Sequence, residues 1–263
     1  MNAPLRLSDF SLVIFDWAGT MVDFGCRAPV EALLTAFRHH GVALEETTAR
    51  ADMGKAKDAH VRALLARAEV AAAWRAAQGA APDEADVARL MGDLGPLMRD
   101  AAGQAARLIP GAAATVADLR RAGLKIASST GYTREMMQPV LARAAAQGYS
   151  PDHLVCAGET LEGRPSPLMI YKACADLGIW PLSRVIKVDD AEAGIAEGRA
   201  AGCFTIGLAA SGNGLGLSES EYLALVPEDR DRRLAPVRAA LLAAGADRVV
   251  DTVADIPSIF DAN

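Results

Sequence analysis

From residue 112 onward the chain alternates helical stretches with short apolar runs, and that alternation limits the fold more than any other feature. Helical spacing covers 112–122, 134–147, 168–177 and 191–201, while apolar runs occupy 124–128, 154–157, 185–188 and 204–207. Parallel strands need crossover connections, usually helical, so this order specifies a parallel sheet covered on both faces. One more run of the same kind, Leu12-Val13-Ile14-Phe15, stands far upstream. A glycine-rich loop at 211–217, helices near 218–225 and 230–244, and a last strand at 248–250 close the chain.

The gap between the first strand and the alternation is helical. Residues 28–40 place Val30, Leu33, Leu34 and Phe37 on one helix face, and Gly41 ends that helix. Residues 45–106 are rich in Ala, Arg and Leu and contain no strand; the segment 78–83 breaks them, with Asp83 suited to cap the next helix. The expected architecture is therefore α/β: a Rossmann-like, doubly wound parallel sheet core built from 1–27 and 108–263, with an all-helical cap domain inserted at 28–107. An insert that leaves from the loop after the first strand stands over the strand ends, as a lid does.

Composition excludes several functions. A formal charge of -6 and the lack of any basic motif argue against nucleic-acid binding. No uncharged apolar run approaches the roughly 20 residues of a membrane span, and the first residues lack a secretory pattern. Cys26, Cys156, Cys174 and Cys203 form no CxxC pair, which suits reduced thiols in the cytoplasm, three of them as packing residues.

Chemistry concentrates at four turns that follow apolar or glycine-bounded segments. Asp16 ends the first strand before Trp17-Ala18-Gly19, where a carboxylate can act as a nucleophile or hold a hard cation. Ser128-Ser129-Thr130-Gly131-Tyr132 brings hydroxyls to a helix start, a setting for an anion or, equally, for a helix cap by Thr130 or Thr133. Arg164 lies between Gly163 and two prolines, a stiff mount for a phosphoryl-binding guanidinium. Lys187-Val188-Asp189-Asp190 ends a strand in two acids whose mutual repulsion a cation would relieve, and Asp16 with one of them makes an oxygen-only site suited to Mg²⁺.

These four stretches together resemble the haloacid dehalogenase superfamily of phosphoryl-transfer enzymes. The resemblance implies Asp16 as nucleophile, Thr130 and Arg164 as phosphoryl-binding groups, and Asp190 as a metal-binding acid. Most of that superfamily carries a second Asp two residues after the nucleophile, as acid and base toward a leaving oxygen; here the residue is Ala18. Ester hydrolysis without that acid forfeits about 10²–10⁴-fold, so the leaving group is expected to be of another kind. Lys57 and His60, three residues apart on one helix face of the insert, supply an alternative. A desolvated lysine attacks a carbonyl as a free amine, and the resulting iminium accepts electrons.

With Asp16 to Cys26, Met53-Gly54 through Arg62, Ser129 through Met137, Gly163-Arg164-Pro165 and Gly214 to Leu217, the resemblance narrows to the phosphonoacetaldehyde hydrolases, or phosphonatases. It implies catalytic roles for Asp16, Lys57 and His60. It further implies substrate contacts from Cys26, Met53, Gly54, Thr130, Gly131, Tyr132 and Arg164, Mg²⁺ at Asp16, Ala18 and Asp190, and a homodimer paired through the cap. The apolar face of 28–37 could serve that pairing or pack within the cap, and Lys55 is the alternative imine lysine. Two departures stand out. The family usually has Gly-Asp followed four residues later by another acid, where this chain has Asp189-Asp190 and then Gly194, with Asp189 or Glu192 left to compensate. Ser166 replaces a usual aromatic, which would enlarge the loop's pocket. The rival expectations are a hydrolase of another carbonyl-containing phosphonate or phosphate, and a weak homologue that only binds a phosphorylated metabolite.

Overall fold

The computed structural model describes residues 5–260; the ends of the expected core segments, 1–4 and 261–263, lie outside it. In chain order the elements are β1 (Leu12–Phe15), α1 (Arg27–His39), α2 (Glu46–Arg50), α3 (Lys57–Leu65), α4 (Ala68–Gln78), α5 (Glu84–Ala105), α6 (Ala112–Arg121), β2 (Lys125–Thr130) and α7 (Arg134–Ala146). There follow β3 (His153–Cys156), α8 (Leu168–Leu177), β4 (Val185–Asp189), α9 (Glu192–Ala201), β5 (Phe204–Leu208), α10 (Glu219–Ala224), α11 (Pro227–Ala243) and β6 (Arg248–Val250). Two boundaries shift by two residues or more from the sequence expectation. β2 runs on to Thr130 because its polar end still pairs with β3, Thr130 opposite Cys156. α11 begins at Pro227, whose ring suits the first helical turn, where no N–H is needed.

All six strands are parallel, in the order β3-β2-β1-β4-β5-β6. The strand order reverses on either side of β1, and the crevice beyond the carboxyl ends of β1 and β4 is where such sheets bind ligands. Side chains alternate across β1. Val13 and Phe15 join one core with Ile126, Val116 and Met137, while Leu12 and Ile14 join a second core with Ala127, Val155, Ile170 and Ala173 of α8. All four β1 side chains are fully buried, each contributing about 1.5–3 kcal/mol from removal of apolar surface. That anchoring holds the following residue, Asp16, in place.

Helices α1 to α5 stand between β1 and α6. α5 buries Val87, Leu90, Leu94, Met98 and Ala102 at helical spacing, and Asp83 caps its start by accepting from the Ala85 and Asp86 N–H groups. Its end meets α7 closely, since a Cβ on Gly103 would stand 3.0 Å from Pro139. Val30, Leu33 and Phe37 of α1 are buried within the chain's own core, while Leu34 on the same face is half-buried.

Candidate active site

β1 delivers Asp16 and β4 delivers Asp189 and Asp190 to one point. One carboxylate oxygen from each lies within 4.8 Å of the others, and all three residues are buried. Asp190 is held from both sides: Oδ1 accepts from Thr20 Oγ1 at 3.0 Å, and Oδ2 accepts from the Asn213 N–H at 2.8 Å. Glycine is required beside it, because a Cβ on Gly19 would stand 2.4 Å from Oδ2, at a φ of +82. Burial, then repulsion from Asp189, pushes Asp16 up to about 6 against the pull of Arg164 and Lys187. Burial, then Asp16 and Asp189, hold Asp190 well above the usual carboxylate range.

Arg164 binds this acidic point to the sheet. Its Nη1 lies 2.9 Å from Asp16 Oδ1 and 3.3 Å from Asp189 Oδ2, its Nε donates to Glu197 Oε2 at 3.0 Å, and its Nη2 donates to the Ser129 carbonyl at 2.6 Å. Lys187 completes the network, 3.0 Å from Asp189 Oδ2 and 2.8 Å from Ser129 Oγ. Among the described residues, Arg164 and Lys187 are the cations paired with Asp16, Asp189 and Glu197, Asp190 pairs with none, and Asp189 Oδ2 has no well-aligned donor. A buried excess of negative charge built from hard oxygen donors fits a divalent cation. Asp16, Asp189 and Asp190 are the groups placed to hold one.

Gly194 explains the departure at the second acid. A Cβ at 194 would stand 1.9 Å from Asp189 Oδ2, so the Asp189 carboxylate fills the space a side chain on α9 would take. Asp189 therefore supplies the charge from the strand, whereas Glu192 points to solvent and supplies none. Ser166, expected to enlarge a pocket, is half-buried outside the site's lining.

From the cap side, α3 places Lys57 over the strand ends. Its amine meets no oxygen: it lies 3.6 Å from Met53 Sδ and 5.5 Å from the centre of the Tyr132 ring. Burial brings Lys57 down to about 8. Lys55, in contrast, pairs with Asp52, and its ammonium is spent there. Burial, then nearby Asp190, keeps the Cys26 thiol protonated; burial, then Cys26, does the same for the Tyr132 phenol. Cys26, Met53, Gly54, Lys55, Lys57, Thr130, Gly131, Tyr132 and Arg164 line one cavity with Asp16, Ala18, Asp190 and Ala191. Its volume of about 20 Å³ admits a water molecule and little more. Gly131 lets the cap approach, since a Cβ there would stand 2.6 Å from the Lys55 carbonyl. Thr133, not Thr130, caps α7 by accepting from the Met136 N–H, which leaves Thr130 facing the cavity.

His60 is the one expected residue that does not line this cavity. It is fully buried, neither ring nitrogen reaches a partner, and burial followed by repulsion from Lys57 lowers it to about 3. Three site residues escaped sequence reasoning as functional groups: Ser129, Lys187 and Glu197. The available signals were a lysine inside the apolar run of β4 and a glutamate on the Gly194, Ile195 and Gly198 face of α9.

A family model for haloacid dehalogenase-like hydrolases matches residues 10–202. The phosphonoacetaldehyde hydrolase of Paraburkholderia phytofirmans is 45% identical over 250 residues, covering 95% of this chain and 94% of that one. The phosphonoacetaldehyde hydrolase of Syntrophobacter fumaroxidans is 44% identical over 249 residues, 95% of this chain and 90% of that one. Among solved structures, a phosphonoacetaldehyde hydrolase-like protein from Oleispira antarctica superposes with a TM-score of 0.94 at 35% identity, over 98% of this chain and 94% of that one.

Proposed function

The chain belongs to the haloacid dehalogenase-like hydrolases and, within them, to the phosphonoacetaldehyde hydrolase family, and from that membership we propose that it cleaves the P–C bond of phosphonoacetaldehyde to give acetaldehyde and phosphate. The observation that carries the reading is the pairing of Asp16, which has Ala18 and no acid two residues on, with a buried amine that has no ionic partner among the described residues, Lys57, across one cavity.

The neutral Lys57 amine attacks the aldehyde carbon and expels water to give an iminium. Asp16 attacks phosphorus in line with the P–C bond, and the bond's electron pair passes into the iminium as an enamine, so no bare carbanion forms. Water then opens the aspartyl phosphate at phosphorus, releasing phosphate and restoring Asp16. The enamine takes a proton on carbon, and a second water returns acetaldehyde and free Lys57; this water balances the one lost in forming the imine. Arg164 and Thr130 hold the phosphoryl oxygens. Asp16, Asp190 and the Ala18 carbonyl would hold Mg²⁺, which when bound would supply positive charge to offset that of the carboxylate and the phosphoryl group. His60 lies outside the cavity with neither ring nitrogen bonded, so its neutral imidazole can exchange protons with the imine only through water admitted when the cap lifts. The cavity is too small for the substrate, so the cap at 28–107 lifts from the core at 1–27 and 108–263 to admit it.

No helix among the described residues is long and apolar enough to cross a membrane. We place the enzyme in the cytoplasm as a homodimer that contacts neither nucleic acid nor membrane, paired through the cap; light scattering tests the dimer. The functional assay is release of equal amounts of acetaldehyde and phosphate from phosphonoacetaldehyde, lost on chelation of Mg²⁺ and in Asp16→Ala. Phosphate release from simple esters with none from the phosphonate would contradict the reading.

A further inference from the structure

The glycine-rich loop 211–217 takes no part in the chemistry above, yet it touches both halves of the site. Asn213 holds Asp190 Oδ2 with its main-chain N–H at 2.8 Å. Its side chain grips Arg50 of α2 twice: Oδ1 accepts from Arg50 Nη1 at 3.1 Å, and Nδ2 donates to the Arg50 carbonyl at 3.1 Å. These partners fix the amide's orientation, because the flipped amide would set donor against donor and acceptor against acceptor. The same Arg50 carbonyl accepts from the Met53 N–H at 3.1 Å, and Met53 carries the sulfur beside Lys57. One connected path therefore runs from the metal-side acid to the surroundings of the imine lysine.

The rest of Arg50 closes the same seam. Its Nη1 also donates to the Gly25 carbonyl at 2.9 Å, and its Nη2 to the Gly216 carbonyl at 3.3 Å, with the side chain only 13% exposed. The glycines mark how closely the parts approach. A Cβ on Gly212 would stand 2.4 Å from Asp190 Cβ, and one on Gly216 would stand 2.9 Å from the Arg50 guanidinium carbon. A loop that merely joined β5 to α10 would need neither approach.

We propose that Asn213 and Arg50 are positioning residues that clasp the cap loop to the core, so that docking of residues 47–56 and fixing of the Asp190 carboxylate happen together. Arg50 leaves with α2 when the cap lifts, the two side-chain bonds break, and the loop that presents the Asn213 N–H to Asp190 loses its anchor. Only the kinetic arm of the test rests on the substrate reading above.

Asn213→Ala removes the grip and keeps the main-chain N–H; Arg50→Met removes the guanidinium and keeps its apolar stem. Amide hydrogen exchange followed by mass spectrometry on the substrate-free protein reads opening of 47–56 directly. Asn213→Ala loses one neutral and one charge-assisted hydrogen bond, while Arg50→Met keeps its main-chain carbonyl but loses the guanidinium's bonds to Asn213, Gly25 and Gly216; each loss predicts roughly 10- to 100-fold faster exchange there, with the strands unchanged. kcat/KM for phosphonoacetaldehyde falls by a similar factor, and the double variant falls by less than the two single losses combined, because the Arg50–Asn213 bond is severed in both. Wild-type exchange in 47–56 in both variants, equal acceleration across the whole sheet, or additive losses overturns the clasp. Faster exchange in 47–56 alone, in a protein that does not turn over phosphonoacetaldehyde, upholds the clasp and sinks the substrate instead.

Discussion

Lys57→Met should make the substrate-free protein more stable at neutral pH while abolishing turnover. Lys57 is buried, touches a thioether and an aromatic ring, and stands at about 8 instead of 10.5. At about 1.36 kcal/mol per pKa unit, the folded state carries a penalty of about 3 kcal/mol for the ammonium. The sign follows from proton counting. Between pH 8 and 10.5 the unfolded chain binds a proton at Lys57 that the folded chain has given up, so stability from this group rises with pH in that window. Below pH 8 both states are protonated and the penalty is complete; above 10.5 it vanishes. The advantage of Lys57→Met is therefore largest below pH 8, shrinks through the window, and levels off above it to the packing difference between the side chains. Reversible urea denaturation of both proteins at half-unit steps from pH 6.5 to 10.5 reads this directly. A difference that does not change with pH, or a variant less stable at pH 7 by the same amount as at pH 10.5, would refute the claim that Lys57 is desolvated. The same depression leaves about one Lys57 in ten as free amine at pH 7, against roughly three in ten thousand for an ordinary lysine, which is why the stability cost serves the chemistry.

Three further outcomes follow from the site. Asp189→Gly should cost on the order of 3 kcal/mol by stripping a buried carboxylate from Lys187 and Arg164, and Gly194→Asp alone should also be destabilised, because its carboxylate collides with that of Asp189. The double variant, which moves the acid to α9, should recover both melting temperature and Mg²⁺ affinity toward wild type; a double variant worse than either single one would show that the two positions do not exchange. The His60 ring should show no titration between pH 5 and 9 by NMR, and an imidazole transition near 6.5 would contradict its burial; the kcat/KM profile should rise in two steps, near 6 as Asp16 ionises and near 8 as Lys57 gives up its proton. Thermal melts should show Mg²⁺ stabilising wild type and failing to stabilise Asp190→Asn; equal stabilisation of both would remove Asp190 from the metal site.

The sheet was legible because each parallel strand is a short apolar run and each crossover a helix, so strand and helix periodicities never competed. Asp16, Asp190 and Arg164 were legible because polar residues at strand ends and stiff turns have few structural reasons to cluster. Lys57 was distinguishable from Lys55 only in three dimensions, where Asp52 takes one ammonium and leaves the other in an apolar pocket. The exchange of Asp189 for a side chain at 194 is likewise invisible along the chain, since it depends on two residues sharing one volume. Glu197 was hidden for the opposite reason: on an exposed helix face the same residue would be ordinary, and only the packing of α9 on β4 turns it inward. The loop at 211–217 read as a connection because glycines mark turns; its hydrogen bonds to Arg50 and Asp190 come from partners far away in sequence.

The central claim is that Lys57 forms an imine with the aldehyde before the P–C bond breaks, and borohydride trapping tests it most directly. Turnover of phosphonoacetaldehyde in the presence of borohydride should inactivate the enzyme and leave an N-ethyl or N-phosphonoethyl group on Lys57, found by peptide mass spectrometry. Full activity with no modified lysine, or an adduct on Lys55 with Lys57 untouched, would contradict the account.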